Sequence, residues 1–178
     1  MAPFNVEIKA RCSDPDRVRA ALAAKGAVFQ GLDHQTDTYY RVPGGRLKLR
    51  EGNIENALIF YRRKDVPGPK KAEILLHEPG PDGLLKDLLE EALGAWITVR
   101  KAREIHWIGN VKFHVDEVEG LGTFVEIEAI DRDGSLGEDR LRGQCAYYMK
   151  LFGVSSRDLL AQSYSDLLAS TGEKGAQS

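Results

Sequence analysis

Residue-by-residue alternation of apolar and ionic side chains dominates this chain, and the ionic residues keep to one side of each run. Phe4, Val6, Ile8 and Ala10 alternate with Asn5, Glu7, Lys9 and Arg11. Leu47 and Leu49 stand against Lys48 and Arg50, and Val111, Phe113 and Val115 against Lys112, His114 and Asp116. Val125 and Ile127 stand against Glu126 and Glu128, while Lys101 and Arg103 share a face of their own run. A period of two is the mark of a β-strand with two unlike faces, because successive side chains point to opposite sides.

Strands are expected at Phe4–Arg11, Val28–Gln30, Gln35–Val42, Arg46–Glu51, Ala57–Lys64, Lys70–Glu78, Ile97–Ile108, Val111–Val118 and Thr123–Asp131. Gly44-Gly45, Pro79-Gly80-Pro81-Asp82-Gly83, Asn110 and Gly120–Gly122 punctuate them. Helices are expected in three places. One starts at Ser13, with Asp16 completing a capping box and Gly26 as the stop. The others are the amphipathic Leu84–Leu93 and the segment Glu138–Phe152 ahead of Gly153. Ser155 and Asp158 have the spacing to cap a short fourth helix through Leu160. One domain over 1–168 and a flexible tail over 169–178 are expected, because the tail is small and polar. About eight strands with three or four helices point to an antiparallel sheet or barrel with helices outside.

Composition narrows the function. Lys and Arg number 25 against 27 Asp and Glu, for a formal charge of −2. That balance disfavours nucleic acid as a partner, since such binding needs a positive excess. No apolar run approaches the ~20 residues that span a bilayer, so no membrane association is expected. The opening Met-Ala-Pro-Phe-Asn-Val-Glu lacks the regions of a secretory signal, and Cys12 and Cys145 stand alone. A cytoplasmic, thiol-reduced chain is expected. Two cysteines and four scattered histidines build no thiol or imidazole metal cage.

A single charged strand face is most often a solvated one. Here five such faces carry Lys9, Arg11, Lys48, Arg50, Lys101, Arg103 and Lys112 with Glu7, Asp116, Glu126 and Glu128, in a chain that is slightly acidic overall. Arg63 and Lys70 sit at the ends of the two middle strands. If the sheet closes, the ionic face lines an interior of the width that holds one small ligand. A dry bore cannot keep so many charges unpaired. A triphosphate with Mg²⁺ or Mn²⁺ neutralises it: Lys and Arg hold phosphate oxygens, and Glu and Asp hold the hard cation.

The segment Asn5-Val6-Glu7-Ile8-Lys9 resembles the ExExK signature of the CYTH, or triphosphate tunnel metalloenzyme, superfamily. The likeness continues in order through Gln35–Tyr40, Arg46–Glu51, Gly68-Pro69-Lys70, Lys101-Ala102-Arg103, His114–Gly122, Glu126-Ile127-Glu128 and Ser163–Leu168. The run Asp116-Glu117-Val118-Glu119-Gly120-Leu121-Gly122, followed by Glu126-x-Glu128, is most similar to the class IV adenylyl cyclase branch. The resemblance implies an α+β fold: an eight-stranded antiparallel closed β-barrel enclosing a triphosphate tunnel, with helices packed outside. It implies phosphate contacts from Lys9, Lys48, Arg50, Arg63, Lys70, Lys101, Arg103 and Lys112, and metal ligands from Glu7, Asp116, Glu126 and Glu128. Lys9, Glu7 and Lys101 are then the catalytic candidates, Lys9 by orienting the attacking group. His114 matches a position beside them that either joins the chemistry or simply hydrogen-bonds in the barrel. Two departures stand out: Asn5 replaces the first acid of the signature, and Ala72 stands where a hydroxyl is common.

Three activities are compatible with such a tunnel. A cyclase converts ATP to cyclic AMP and pyrophosphate. A triphosphatase hydrolyses inorganic triphosphate or an organic one such as thiamine triphosphate. A binding module holds a nucleotide or polyphosphate without turnover. The expected partner is a nucleoside triphosphate or another triphosphate. A strand whose apolar outer face lacks helical cover invites a homodimer.

Overall fold

The computed structural model describes residues 4–80 and 83–175, with side chains through 172. The first three residues, Pro81-Asp82 of the expected break and positions 176–178 of the expected tail lie outside the described residues. Among the described residues there are eight strands: β1 (Phe4–Arg11), β2 (Val28–Tyr40), β3 (Arg46–Glu51), β4 (Ala57–Arg63), β5 (Lys70–His77), β6 (Ala95–Ile108), β7 (Val111–Val118) and β8 (Gly122–Asp131). They close in the order β1-β5-β4-β3-β2-β6-β7-β8, with β8 returning to β1 and every pair antiparallel. Closure removes the free sheet edges that would otherwise invite pairing with other chains.

The register puts like faces side by side. Lys9 lies opposite Glu126, Glu7 opposite Glu128 and Arg103 opposite Asp116. Because the pleat repeats every two residues, those pairings commit whole strand faces to one side. The ionic side turns inward. The apolar side of β1, β7 and β8, including Val6, Ile8, Phe113, Val125 and Ile127, turns outward and is buried under helices. Val18 and Leu22 of α1 (Pro15–Ala24) and Leu141, Cys145 and Phe152 of α3 (Glu138–Phe152) complete that core. The barrel is therefore inverted relative to a water-soluble sheet whose charges face solvent. α2 (Leu84–Leu93) buries none of its side chains. Among the described residues, no helix is long and apolar enough to cross a membrane. Both cysteines are free and buried.

Four details differ from the sequence reading. The cap of α1 is Asp14, whose carboxylate accepts from the Arg17 N–H at 3.1 Å, one residue beyond Ser13. Val28–Gln30 and Gln35–Val42 are parts of one strand, β2, joined through an irregularity at Gly31. Gly31 has φ +147°, and a Cβ there would stand 2.8 Å from the Ile54 side chain, so the join requires glycine.

Ser155 caps no helix. Asp158 C=O accepts from Arg11 N–H and Leu160 N–H donates to Lys9 C=O, so this segment runs beside β1. Its Ser155–Asp158 hydrogen bond closes only a turn. The last helix is instead α4 (Tyr164–Gly175), which continues past Leu168 into the segment read as a tail. Ser163 opens it: its N–H donates to Asp166 and its hydroxyl accepts from the Asp166 N–H.

Candidate active site

The barrel encloses a cavity of about 580 Å³. Among the described residues, seven basic side chains reach it: Lys9, Lys48, Arg50, Arg63, Lys101, Arg103 and Lys112. Glu7, Glu126, Glu128 and His114 line the same space. Across from them β4 and β5 present Ala57, Ile59, Tyr61, Ala72, Ile74 and Leu76. One wall is thus ionic and the other largely apolar, with Arg63 at the end of β4 as its cation, a division that the topology produces by placing β4 and β5 opposite β6 and β7.

The basic groups are held by acids. Asp37, 1% exposed at its side chain, accepts from Lys48 at 2.9 Å, Lys101 at 2.7 Å and Arg50 at 2.8 Å. Burial alone would raise the Asp37 carboxyl, but Arg50, Lys101 and Lys48 together hold it well below the usual carboxylate range. Burial pushes the Lys101 amine well below its ordinary value against the pull of Asp37. Lys9 bonds Glu126 at 3.0 Å, and its amine lies 3.7 Å over the Tyr164 ring. Arg103 grips Asp116 through two hydrogen bonds of 2.7 and 2.6 Å and reaches Glu126 at 3.0 Å. The Tyr164 hydroxyl donates to the same Asp116 at 2.8 Å, tying α4 to the barrel interior. Arg63 donates to Glu7 at 2.9 Å.

Two sequence-derived positions are placed differently from the rest. Arg11 is exposed at the end of β1 instead of facing the bore. Lys70 is buried, but its amine donates to the carbonyls of Val66, Leu160 and Ala161 at 3.0–3.3 Å. Burial, reinforced by Arg63, pushes that amine down to about 8. Lys70 thus stitches β5 to the segment ahead of α4. Replacing it, Lys70→Met, is expected to cost about 2–3 kcal/mol by orphaning buried carbonyls. The same variant is expected to move the KM for a triphosphate by less than about threefold; urea melts and steady-state kinetics give the two values.

Asn5 and Ala72, the two departures from the signature, are direct partners across β1 and β5. The Asn5 Oδ1 is buried without a hydrogen-bond partner among the described residues. Asp37, Glu55 and Tyr164 were not assigned to the site from the sequence. Asp37 carried a signal, since it shares one face of β2 with Gln35 and Tyr39. Glu55 lies in a loop and Tyr164 opens a helix, where no strand periodicity marks them.

A CYTH domain model matches residues 3–164. This chain belongs to the CYTH family. It is 29% identical to the adenylate cyclase CyaB of Aeromonas hydrophila, over 92% of this chain and 88% of that one. Its fold is that of a solved Pyrococcus horikoshii OT3 protein, with 22% identity, a TM-score of 0.75 and coverage of 92% and 98% of the two chains. It also matches a solved Hippeastrum adenylyl cyclase candidate described by a dominant triphosphatase activity. That match has 17% identity, a TM-score of 0.58 and coverage of 92% and 93%.

CYTH tunnel enzymes are metal-dependent, and the residues here fit a hard cation. One ligand atom each from His114, Glu126 and Glu128 lies within 4.8 Å of the others. Glu7 is the register partner of Glu128. Burial pushes Glu128 up to about 7; Lys112 opposes this, while Glu7 and Glu126 add to it. A cation would relieve that crowding of carboxylates. Burial, with help from Arg103, pushes His114 down to about 3, leaving a neutral imidazole whose Nε2 is buried without a partner among the described residues. Asp116 stands outside this cluster, occupied by Arg103 and Tyr164.

Proposed function

We propose that this CYTH protein is a metal-dependent enzyme acting on a triphosphate held inside the barrel, with ATP cyclisation to cyclic AMP and pyrophosphate as its reaction. The observation that carries this reading is the convergence of seven basic side chains and a carboxylate–imidazole cluster on one cavity whose far wall is largely apolar. Phosphates pair with the ionic wall. The wall of Ile59, Ile74 and Leu76 suits an organic group, so a nucleoside triphosphate satisfies both sides where an inorganic chain satisfies one. The likeness to the Aeromonas cyclase supports the same choice.

In this reading Glu126, Glu128 and Glu7, with His114 alongside, hold Mg²⁺ or Mn²⁺, which would screen the phosphates and polarise the reacting phosphorus. Lys48, Arg50, Lys101, Arg103, Arg63 and Lys112 hold phosphate oxygens in fixed positions, so charge developing in the transition state meets donors already in place. The ribose 3′-hydroxyl attacks the α-phosphorus, the bond from that phosphorus to the α–β bridging oxygen breaks, and pyrophosphate leaves with the bond's electrons. The hydroxyl proton needs an acceptor. Lys9 is the candidate acceptor in its neutral form, which burial and Arg63 favour and the 3.0 Å contact with Glu126 opposes. Hydrolysis of the terminal phosphate is the second reading, favoured by the Hippeastrum protein that shares this barrel.

Incubation of the purified protein with ATP and Mn²⁺ decides between them. Cyclic AMP and pyrophosphate support the proposal, and orthophosphate supports the second reading. Tight binding with neither product would leave a binding module. The apolar wall has its own test. Ile74→Asn is expected to raise the KM for ATP about tenfold, since roughly one well-packed apolar side chain of contact is lost. Binding of inorganic tripolyphosphate should change by less than about twofold in the same variant. Equal effects on the two ligands would mean that the organic group binds elsewhere.

A further inference from the structure

The loop 52–56 between β3 and β4 carries a carboxylate into the cavity. Glu55 bonds Lys112, bonds Arg50 at 3.0 Å and accepts from the Gln35 amide at 3.3 Å. These are two of the seven cations that face the bore, and Glu55 meets them as a phosphate oxygen would.

The loop that presents it is fastened. Asp33, fully buried, accepts from the Ile54 N–H at 2.8 Å and the Glu55 N–H at 3.0 Å. Asn53 accepts from the His34 N–H at 2.6 Å and donates to the Leu32 carbonyl at 3.0 Å. Asn56 exchanges hydrogen bonds of 3.1 and 2.9 Å with Gly52. A Cβ at Gly52 would fall 2.6 Å from the Asp33 carboxylate and 2.7 Å from the Glu55 carbonyl, so the loop lies as close to its anchor as a backbone can. Such a loop is a fixed wall of the cavity and not a lid.

We propose that Glu55 occupies one anion seat of the tunnel and thereby sets the number of phosphates the tunnel accepts, with Asp33 as the residue that positions it. The inference rests on the triphosphate reading above. A chain whose length fits the remaining seats meets Lys48, Lys101 and Arg63, whose carboxylate partners Asp37 and Glu7 sit on the barrel strands and not on the loop. A longer chain must bring one more phosphate against a fixed carboxylate, and like charges in a water-poor space repel strongly.

Calorimetric titration of the protein with inorganic tripolyphosphate and with tetrapolyphosphate, in excess Mg²⁺, tests this without turnover. The wild type is expected to bind the longer chain no more tightly than the shorter. Glu55→Gln, which keeps the shape and the Gln35 contact, is expected to tighten tetrapolyphosphate binding about tenfold while moving tripolyphosphate by less than about threefold. Asp33→Asn weakens the anchor from outside the cavity and is expected to shift the same ratio in the same direction. Equal gains on both chains would overturn the proposal in favour of a general electrostatic effect, and no gain on either would overturn it outright. Weaker binding of both chains by Glu55→Gln would also overturn it, by making Glu55 a support of the site. Failure of the wild type to bind either chain would instead remove the triphosphate reading itself.

Discussion

Glu126→Gln is expected to lower turnover about a thousandfold, the scale of removing a charge aimed at the reacting groups. Glu126 is the point where the site's parts meet: Lys9 at 3.0 Å, Arg103 at 3.0 Å and the His114 Nδ1 at 3.1 Å. Burial opposes its ionised form, yet Lys9 and Arg103 hold its carboxyl well below the usual range. The amide keeps the shape and removes the charge. Mn²⁺ affinity, measured by electron spin resonance, should fall about 10–100-fold in the same protein. Near-UV circular dichroism should stay unchanged, since Arg103 retains Asp116 and Lys9 retains the Tyr164 ring. Full activity in this variant would place the metal site elsewhere in the barrel.

Asp37→Asn is expected to have the largest effect on stability, about 3–5 kcal/mol, because it leaves Lys48, Arg50 and Lys101 buried around a neutral group. The variant's melting temperature should rise more than the wild type's on adding tripolyphosphate, since the anion then supplies the missing charge. The effect also has a pH signature. Asp37 has a depressed folded-state value, so its contribution is complete above the unfolded-state value of roughly 3.9 and is lost as pH falls toward the folded one. The stability gap between wild type and variant should therefore be flat from about pH 5 to 8 and should narrow below about pH 4. A gap that persists undiminished at the acid end would mean that the Asp37 charge is not what holds the three cations.

Strand periodicity was the legible part of this molecule. The bounds of β1, β3 and β7, and those of α2 and α3, follow from alternation, amphipathicity and glycine stops, because these are local properties of the chain. The inward set Lys9, Lys48, Arg50, Lys101, Arg103, Lys112, Glu126 and Glu128 was readable for the same reason. Arg11 continued the pattern and yet lies outside, since β1 ends there and a periodicity does not say where the bore stops.

Capping motifs were legible but ambiguous. Ser155-Ser156-Arg157-Asp158 and Ser163-Tyr164-Ser165-Asp166 have the same spacing, and only the second opens a helix. The backbone of the first is occupied by β1, a contact between residues far apart in the chain. Lys70 shows the same limit. Its place at the end of β5 was readable, but the three carbonyls that claim its amine come from two other segments.

Residue order alone is enough to give two-faced strands with charges on one side, and those charges are of the kinds that bind phosphate and a hard cation. Alternation is a property of neighbours, and neighbours are what a sequence lists. Strand packing was needed to bring the ionic sides into one enclosed space, to set a largely apolar wall against them, and to give Arg50 to both Asp37 and Glu55. Those facts depend on strand order, closure and a loop pinned by Asp33, and all three arise from contacts between residues that the chain keeps apart.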